Sequence, residues 1–394
     1  MKILVYIDSL ERFHFFKRFI FIKNDFVCIT NLLSVYIMAK KENMNCHLIK
    51  KRNIDNISSK IDHKDTLDFK AGWLSKEEIE TVYNSIYYLA EQLYGKHQYT
   101  YMFIWNGTRV AAKALKDIAQ IHNIKVLYFE VSNLPNKLFI DKMGVNAKSY
   151  LALDKNILKS FSYDDSLYLN WRKEYLLSKF KTHKVIQSRN VKAINILHVF
   201  DWIGFNILNI VKSKSIPVYK KILQKILIYR TKFKYDTIDI KNEKYIFFPL
   251  QVNSDSQILI NSDINNTEAV EIAAQLAREA GVKLLIKPHP AEADVEYVSR
   301  LNRLKEDYGF YFVDDNTFEL IKYAVQVVTI NSTVGIESMI LQKDVKVLGR
   351  SHYAEFDQED LGRYISSYLI DIDYFGEDVI SKEKTEEIMK RAVL

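Results

Sequence analysis

Between Lys244 and Gly349 the chain repeats one pattern: an apolar run of strand length, a polar turn, then a segment with helical spacing. The runs are KYIFFPL, VKLLI, YFVD, VQVVTI and VKVLG, with helical patterns at Glu268–Ala280, Val295–Lys305, Phe318–Tyr323 and Gly335–Leu341 between them. Apolar strands alternating with helices predict a parallel sheet covered on both faces. The same alternation, in weaker form, marks Ile3–Ile7, Tyr101–Trp105, Val110–Ile121 and Lys125–Phe129. The expected class is α/β, with one Rossmann-like domain in residues 1–154 and a second in 242–375.

A chain of 394 residues with 48% hydrophobic content can fill two cores. Residues 155–241 read differently. They are rich in Tyr, Phe, Ile and Lys, with Gly204 and Pro217 as breakers, and predict a helical linker or insert. From Lys212 to Lys234 this segment carries Lys214, Lys220, Lys221, Lys225, Arg230 and Lys232 without an acidic residue. Interleaved with Ile222, Leu223, Ile226, Leu227 and Tyr229, these make a basic amphipathic stretch. It would suit an anionic membrane surface through 193–234, or a helix packed across the domains with snorkelling lysines. Residues 376–394 are expected to form a helical tail. Only Cys28 and Cys46 are present, which predicts neither a disulfide framework nor a metal site. MKILVYID reads as a first strand, so a cytoplasmic location is expected. The net charge of +7 has no base-reading module around it, so no nucleic-acid partner is expected.

Three polar motifs follow apolar strands in the second half: Gln251–Asp255 (QVNSD), Lys287–Pro290 (KPHP) and Asn331–Ser338 (NSTVGIES). Open α/β sheets bind ligands outside the carboxyl ends of their strands, so the three are expected to share one site. Ser332 and Thr333 open a helix, where free N–H groups favour an anion, and Gly335 would let a ligand approach the backbone. An ordinary N-cap would use the same residues. Glu337 suits a ribose hydroxyl or compensation of the helix dipole. Pro288 and Pro290 hold Lys287 and His289 at the sheet edge as phosphate ligands. Asp255 reads as a nucleophile, a base or a turn residue.

In the first half Glu130 ends a strand, with Asp141, Gly144 and Asn146 following. If the two sheets oppose each other, Glu130 would face the same cleft as the motifs. Two carboxylates across a cleft suit glycosyl transfer by double displacement, although a loop cap or ion pair would explain Glu130 equally well. Asn106, Arg109 and Asn146 are the candidates for acceptor contact. There is no GxGxxG, P-loop, GxSxG or HExxH, and Asp371-Ile-Asp373 reads as structural rather than as a metal-binding DxD.

The ordered set FEVSNLPNKLFIDKMGVNAKS, LQVNSDSQI, KPHP and VVTINSTVGIESMILQKDVKVLG resembles the bacterial capsule polysaccharide synthesis family of Kdo transferases, which use CMP-Kdo as donor. The resemblance implies a GT-B-like enzyme with two Rossmann-like domains facing a cleft. The family's QxxxD falls on Gln251 and Asp255, its HP motif on His289 and Pro290, and its phosphate site on Ser332 and Thr333. Glu130 matches its N-terminal-domain Glu. Asp255 would then be the nucleophile of a retaining transfer, with a sugar or glycolipid acceptor of capsule or O-antigen and no metal cofactor. A CMP-dependent sialyl- or other nonulosonate transferase, or a non-catalytic nucleotide-binding scaffold of capsule assembly, are the alternatives.

Overall fold

Two Rossmann-like sheets account for the strand–helix alternation. In this computed structural model, which describes residues 1–52, 61–181, 197–212, 233–292 and 294–394, the chain divides into two compact units. The first holds strands β1 (Ile3–Tyr6), β2 (Phe26–Thr30), β3 (Asn45–Leu48), β4 (Tyr101–Trp105), β5 (Lys125–Val131), β6 (Lys137–Asp141) and, from the far end of the chain, β12 (Ile370–Asp371). Their order is β12-β6-β5-β4-β1-β2-β3. Strands β3 through β5 are mutually parallel, whereas β6 runs antiparallel to β5 and β12 antiparallel to β6. The order of parallel strands reverses between β1 and β4, which makes that gap the switch point of the sheet.

The first core is aromatic. Phe13, Phe15, Phe16, Phe19, Phe26, Phe103 and Phe129 are buried together with Trp105. Edge contacts such as Phe15–Phe16, with ring centroids 5.2 Å apart, match the quadrupole preference of such rings.

The second unit holds β7 (Tyr245–Pro249), β8 (Lys283–Lys287), β9 (Tyr311–Phe312), β10 (Gln326–Thr329) and β11 (Val345–Val347), all parallel in the order β11-β10-β7-β8-β9. Side chains alternate across β7 as the two-residue period requires. Ile246 and Phe248 join the core under helices Asn266–Glu279 and Val295–Tyr308, while Tyr245 and Phe247 join Leu320 and Ile321 of helix Thr317–Tyr323. Here the order reverses between β7 and β10.

The domain boundaries differ from those read from the sequence. Residues Tyr368–Leu394 belong to the first unit, not to the second or to a separate tail. Strand β12 pairs Ile370 with Leu138, Lys137 Nζ lies 2.5 Å from Asp371, and Ile372, Ile380 and Ile388 enter the aromatic core. The 155–241 segment is not a body of its own either. Helix Asp165–Lys181 belongs to the second unit, where Arg172 Nε donates to Ile340 O at 2.5 Å. Helix Leu197–Asn206 belongs to the first, where Asp201 accepts from Ser34 N and Oγ, both at 2.9 Å. Of the basic stretch, Lys214, Lys220, Lys221, Lys225, Arg230 and Lys232 lie outside the described residues. No helix among the described residues is long and apolar enough to cross a membrane.

Candidate functional site

At the switch point of the second unit, the loops leaving β7 and β10 are tied by their own side chains. Gln251 Nε2 donates to Asn331 Oδ1 at 3.1 Å, and Asn331 N donates back to Gln251 Oε1 at 3.4 Å. Asn331 Nδ2 also donates to Gln257 O at 2.9 Å, and Asn266 Nδ2 to Gln251 O at 2.9 Å. Gln251 is 7% and Asn331 5% exposed. Both were expected among the donor ligands. Instead their amides hold one another and the neighbouring loops.

The loop after β7 also meets the loop after β8, because Asn253 N donates to Glu292 at 2.8 Å. Asp255 is the N-cap of helix Ser256–Asn261, where its Oδ1 accepts from Gln257 N at 2.8 Å. Its Oδ2 makes no hydrogen bond among the described residues, so the cap holds the carboxylate through one oxygen. His289 Nδ1 accepts from Ala291 N at 3.1 Å, which leaves Nε2 to carry the proton of the neutral ring. His289 is exposed, and partial burial lowers its pKa from 6.5 against the opposing pull of Asp255 and Glu292. Asp255 therefore lies near enough for its charge to act on His289. Lys287 donates from Nζ to Asp315 O at 2.6 Å, and burial lowers its pKa although Asp314 and Asp315 act to raise it. Pro290 is exposed beside His289.

Ser332 caps helix Thr333–Ile340, its Oγ accepting from Val334 N at 3.2 Å. Its carbonyl accepts from the Tyr353 hydroxyl. Thr333, one residue on, has no side-chain hydrogen bond among the described residues and is half-buried. Ser332 accepts with its oxygen and keeps its O–H to donate, so both hydroxyls can donate to an anion.

Two expectations in this helix are corrected. Gly335 does not open the backbone to a ligand: a Cβ there would lie 2.6 Å from Tyr353 Oη and 2.7 Å from its Cε2, so the glycine makes room for the tyrosine. Glu337 does not present itself to a ribose. It accepts from Tyr175 Oη at 3.0 Å and pairs with Lys179 at 3.4 Å, both on helix Asp165–Lys181. Burial raises its pKa, with Lys179 and Tyr175 acting the other way.

In the first unit the strand ends around β1, β4 and β5 gather charge. Asn106, just past β4, donates from Nδ2 to Glu130 at the end of β5, and Val131 N donates to Glu130 Oε1 at 3.1 Å. Arg109 was expected to meet the acceptor. It donates from Nε and Nη2 to Asp68 Oδ1 at 3.0 and 2.7 Å and lies 3.4 Å from Asp8, so it anchors the first turn of helix Val110–Ile121 within an ion cluster. The sequence reading passed over Asp8, Arg12 and Asp68. Asp8 pairs with both Arg109 and Arg12, and Arg12 stands over the Trp105 ring at 5.1 Å. Their only sequence signal was Asp8 at the end of the first strand with Arg12 four residues on. Asn146 adopts φ 54° in the loop after β6. The β5–β6 register pairs Glu130 with Phe139 and Tyr128 with Asp141, so that loop runs back toward the start of β5, away from Glu130. Asp141 organises the loop instead, accepting from the N–H groups of Met143, Gly144 and Tyr150.

The model of the family described as capsule polysaccharide biosynthesis protein matches residues 101–356, a span that contains Asn106, Glu130, Asp255, His289, Ser332 and Glu337 and leaves out Asp8, Arg12 and Asp68. The chain belongs to this family. Among relatives, it is 26% identical over 284 residues to the capsule polysaccharide export protein KpsS of Escherichia coli, covering 66% of this chain and 70% of that one. It is 29% identical over 124 residues to the capsule polysaccharide modification protein LipB of Neisseria meningitidis, covering 29% of this chain and 30% of LipB. Among solved structures, the Thermosulfurimonas dismutans KpsC beta Kdo 2,7 transferase aligns over 100% of this chain and 99% of its own with a TM-score of 0.49 and 16% identity. A Methanocaldococcus jannaschii UDP-GlcNAc 2-epimerase aligns over 100% and 92% with a TM-score of 0.32 and 12% identity. Two Rossmann-like units in one chain make the capsule family member's fold GT-B-like.

Proposed function

We propose that this protein is a glycosyltransferase that moves Kdo from CMP-Kdo to a sugar or glycolipid acceptor in capsule polysaccharide synthesis, with retained configuration and without a resident metal. The observation that carries the reading is the meeting of Asp255, His289 and the Ser332–Thr333 helix start at one switch point, with Gln251 and Asn331 bonding the loops together. That set offers a fixed carboxylate beside donors for a single phosphate, which is what a CMP-sugar requires.

In the first step Asp255 Oδ2 attacks the anomeric carbon, and the bond from that carbon to the CMP phosphate oxygen breaks with its electron pair leaving on the phosphate. His289 Nε2–H, the Thr333 hydroxyl and the free N–H donors of Lys287 receive that charge. In the second step an acceptor hydroxyl attacks the same carbon, Glu130 takes its proton, and the ester bond breaks to return the Asp255 carboxylate. Two inversions give retention. Incubation with CMP-Kdo and separately with CMP-sialic acid, in the presence of capsule-type acceptors, tests the donor. Transfer from CMP-Kdo alone is expected; transfer from CMP-sialic acid alone would replace the donor, and neither transfer nor CMP release would end the enzyme reading.

The reading includes contact with an anionic membrane surface through the described part of 193–234. Helix Leu197–Asn206 and the turn after it leave Trp202 61% and Ile207 68% exposed. The neighbouring bridge of Lys50 with Ile210 brings exposed Lys50, Lys51, Arg52 and Lys212 beside them. Co-sedimentation with phosphatidylglycerol vesicles, lost on Trp202→Ser together with Ile207→Ser, is the expected result; equal sedimentation with neutral vesicles would refute the charge argument.

A further inference from the structure

The turn that ends β4 is built to present one amide. Asn106 takes φ 65°, a left-handed conformation that Asn tolerates better than most residues, and its N–H donates to Phe129 O at 2.9 Å. Gly107 follows at φ 91°, where a Cβ would lie 2.9 Å from the Tyr128 ring. These contacts hold Asn106 beside the end of β5. Its side chain then bridges two groups: Thr108 Oγ1 donates to Asn106 Oδ1 at 2.7 Å, and Asn106 Nδ2 donates to Glu130 Oε2. The Glu130 carboxylate, which only accepts, turns the amide nitrogen toward itself, and the Thr108 hydroxyl donates to the oxygen left on the other side.

We propose that Asn106 is a positioning residue for Glu130: its amide, held by Thr108, fixes the plane of the Glu130 carboxylate and favours its ionised form, the form that takes the acceptor's proton. The inference rests on the reading of Glu130 as the base in the second step. Glu130 Oε2 receives an N–H from Asn106 and Oε1 one from Val131, so a donor reaches each end of the carboxylate. Hydrogen bonds to a carboxylate stabilise its charged form, so the removal of one raises its pKa. Among the charged groups nearby, Glu130 acts on the Tyr374 phenol, as do Arg12, Glu11 and Asp8.

Asn106→Gly removes the amide and keeps the left-handed turn accessible. Asn106→Asp keeps the shape and sets a second carboxylate against Glu130. The measurement is acceptor-dependent discharge of the preformed Kdo adduct as a function of pH, with steady-state kcat in its place if the adduct does not accumulate, and with melting temperatures recorded for each variant. Discharge by Asn106→Gly should be roughly tenfold slower, with its acid limb moved up by as much as about one pH unit, while donor KM and adduct formation stay as in the parent. The limb should move further in Asn106→Asp. An unmoved limb in both variants would overturn the proposal and leave Asn106 a turn residue. Glu130→Gln separates the two layers. Discharge at the parent rate there would remove Glu130 as the base; slow discharge there with parent-like limbs in both Asn106 variants would remove the Asn106 proposal alone.

Discussion

Gln251 and Asn331 face each other across the gap where the second sheet reverses its strand order, exchanging two hydrogen bonds at 3.1 and 3.4 Å. The motifs that hold them, eighty residues apart, meet through this pair.

Asn331→Ala leaves Gln251 Nε2 and the carbonyls of Gln257, Asn261 and Arg350 without their donor or acceptor. Buried orphans cost about 1–3 kcal/mol each where water cannot reach them, so a loss of about 2–4 kcal/mol is expected in urea unfolding. Turnover should fall with it, because the loops carrying Asp255 and Thr333 separate. An unchanged unfolding midpoint would show that the pair is dispensable.

Gly335→Ala places a methyl against the Tyr353 ring and hydroxyl, where it meets atoms at 2.6 to 2.9 Å. Overpacking of this kind costs about 1–3 kcal/mol, and the Tyr353 bond to Ser332 O should weaken with it. The expected result is a lower melting temperature with donor binding reduced only in proportion to the folded fraction. A large loss of CMP affinity in fully folded protein would return Gly335 to the ligand site.

His352 sits under Tyr353, Phe356 and Tyr364, with ring centroids 5.4, 6.1 and 5.1 Å away, and burial lowers its pKa to about 3. The unfolded chain titrates near pH 6.5, so between these values the unfolded state binds the extra proton. The stability contributed by the neutral ring is fully present above about pH 6.5 and is lost as pH falls toward 3. At pH 5 the loss is about 2 kcal/mol relative to pH 7. Unfolding at both pH values should show this difference in the parent and a smaller one in His352→Phe. An equal difference in both proteins would assign the acid sensitivity elsewhere.

Much of the second unit was legible because its signal is local. Five apolar runs became the five strands, and the two-residue alternation of Tyr245-Ile246-Phe247-Phe248 sorted its own faces. What was not legible depends on partners far along the chain. Strand β12 joins β6 across more than two hundred residues, and nothing in Ile370-Asp371 announces that pairing. Glu337 looked available from its place in a first helical turn, and only the arrival of Tyr175 and Lys179 shows that it is engaged. Gln251 and Asn331 illustrate the same limit. A polar side chain at a strand end has the same sequence signature whether it contacts a ligand or another loop. Asp8 and Arg12 carried only an i, i+4 spacing, which is common on any helix start.

The reaction course turns on Asp255. Asp255→Asn keeps an oxygen for the Gln257 N–H and so keeps the N-cap, which separates chemistry from folding. The decisive measurement is mass spectrometry of the peptide containing Asp255 after rapid quenching with CMP-Kdo. A Kdo ester on Asp255 in the parent is predicted, absent in Asp255→Asn, whose turnover falls by roughly a thousandfold or more while CMP affinity holds within about threefold. Turnover near the parent rate in Asp255→Asn, with no sugar on that peptide in either protein, would contradict the account.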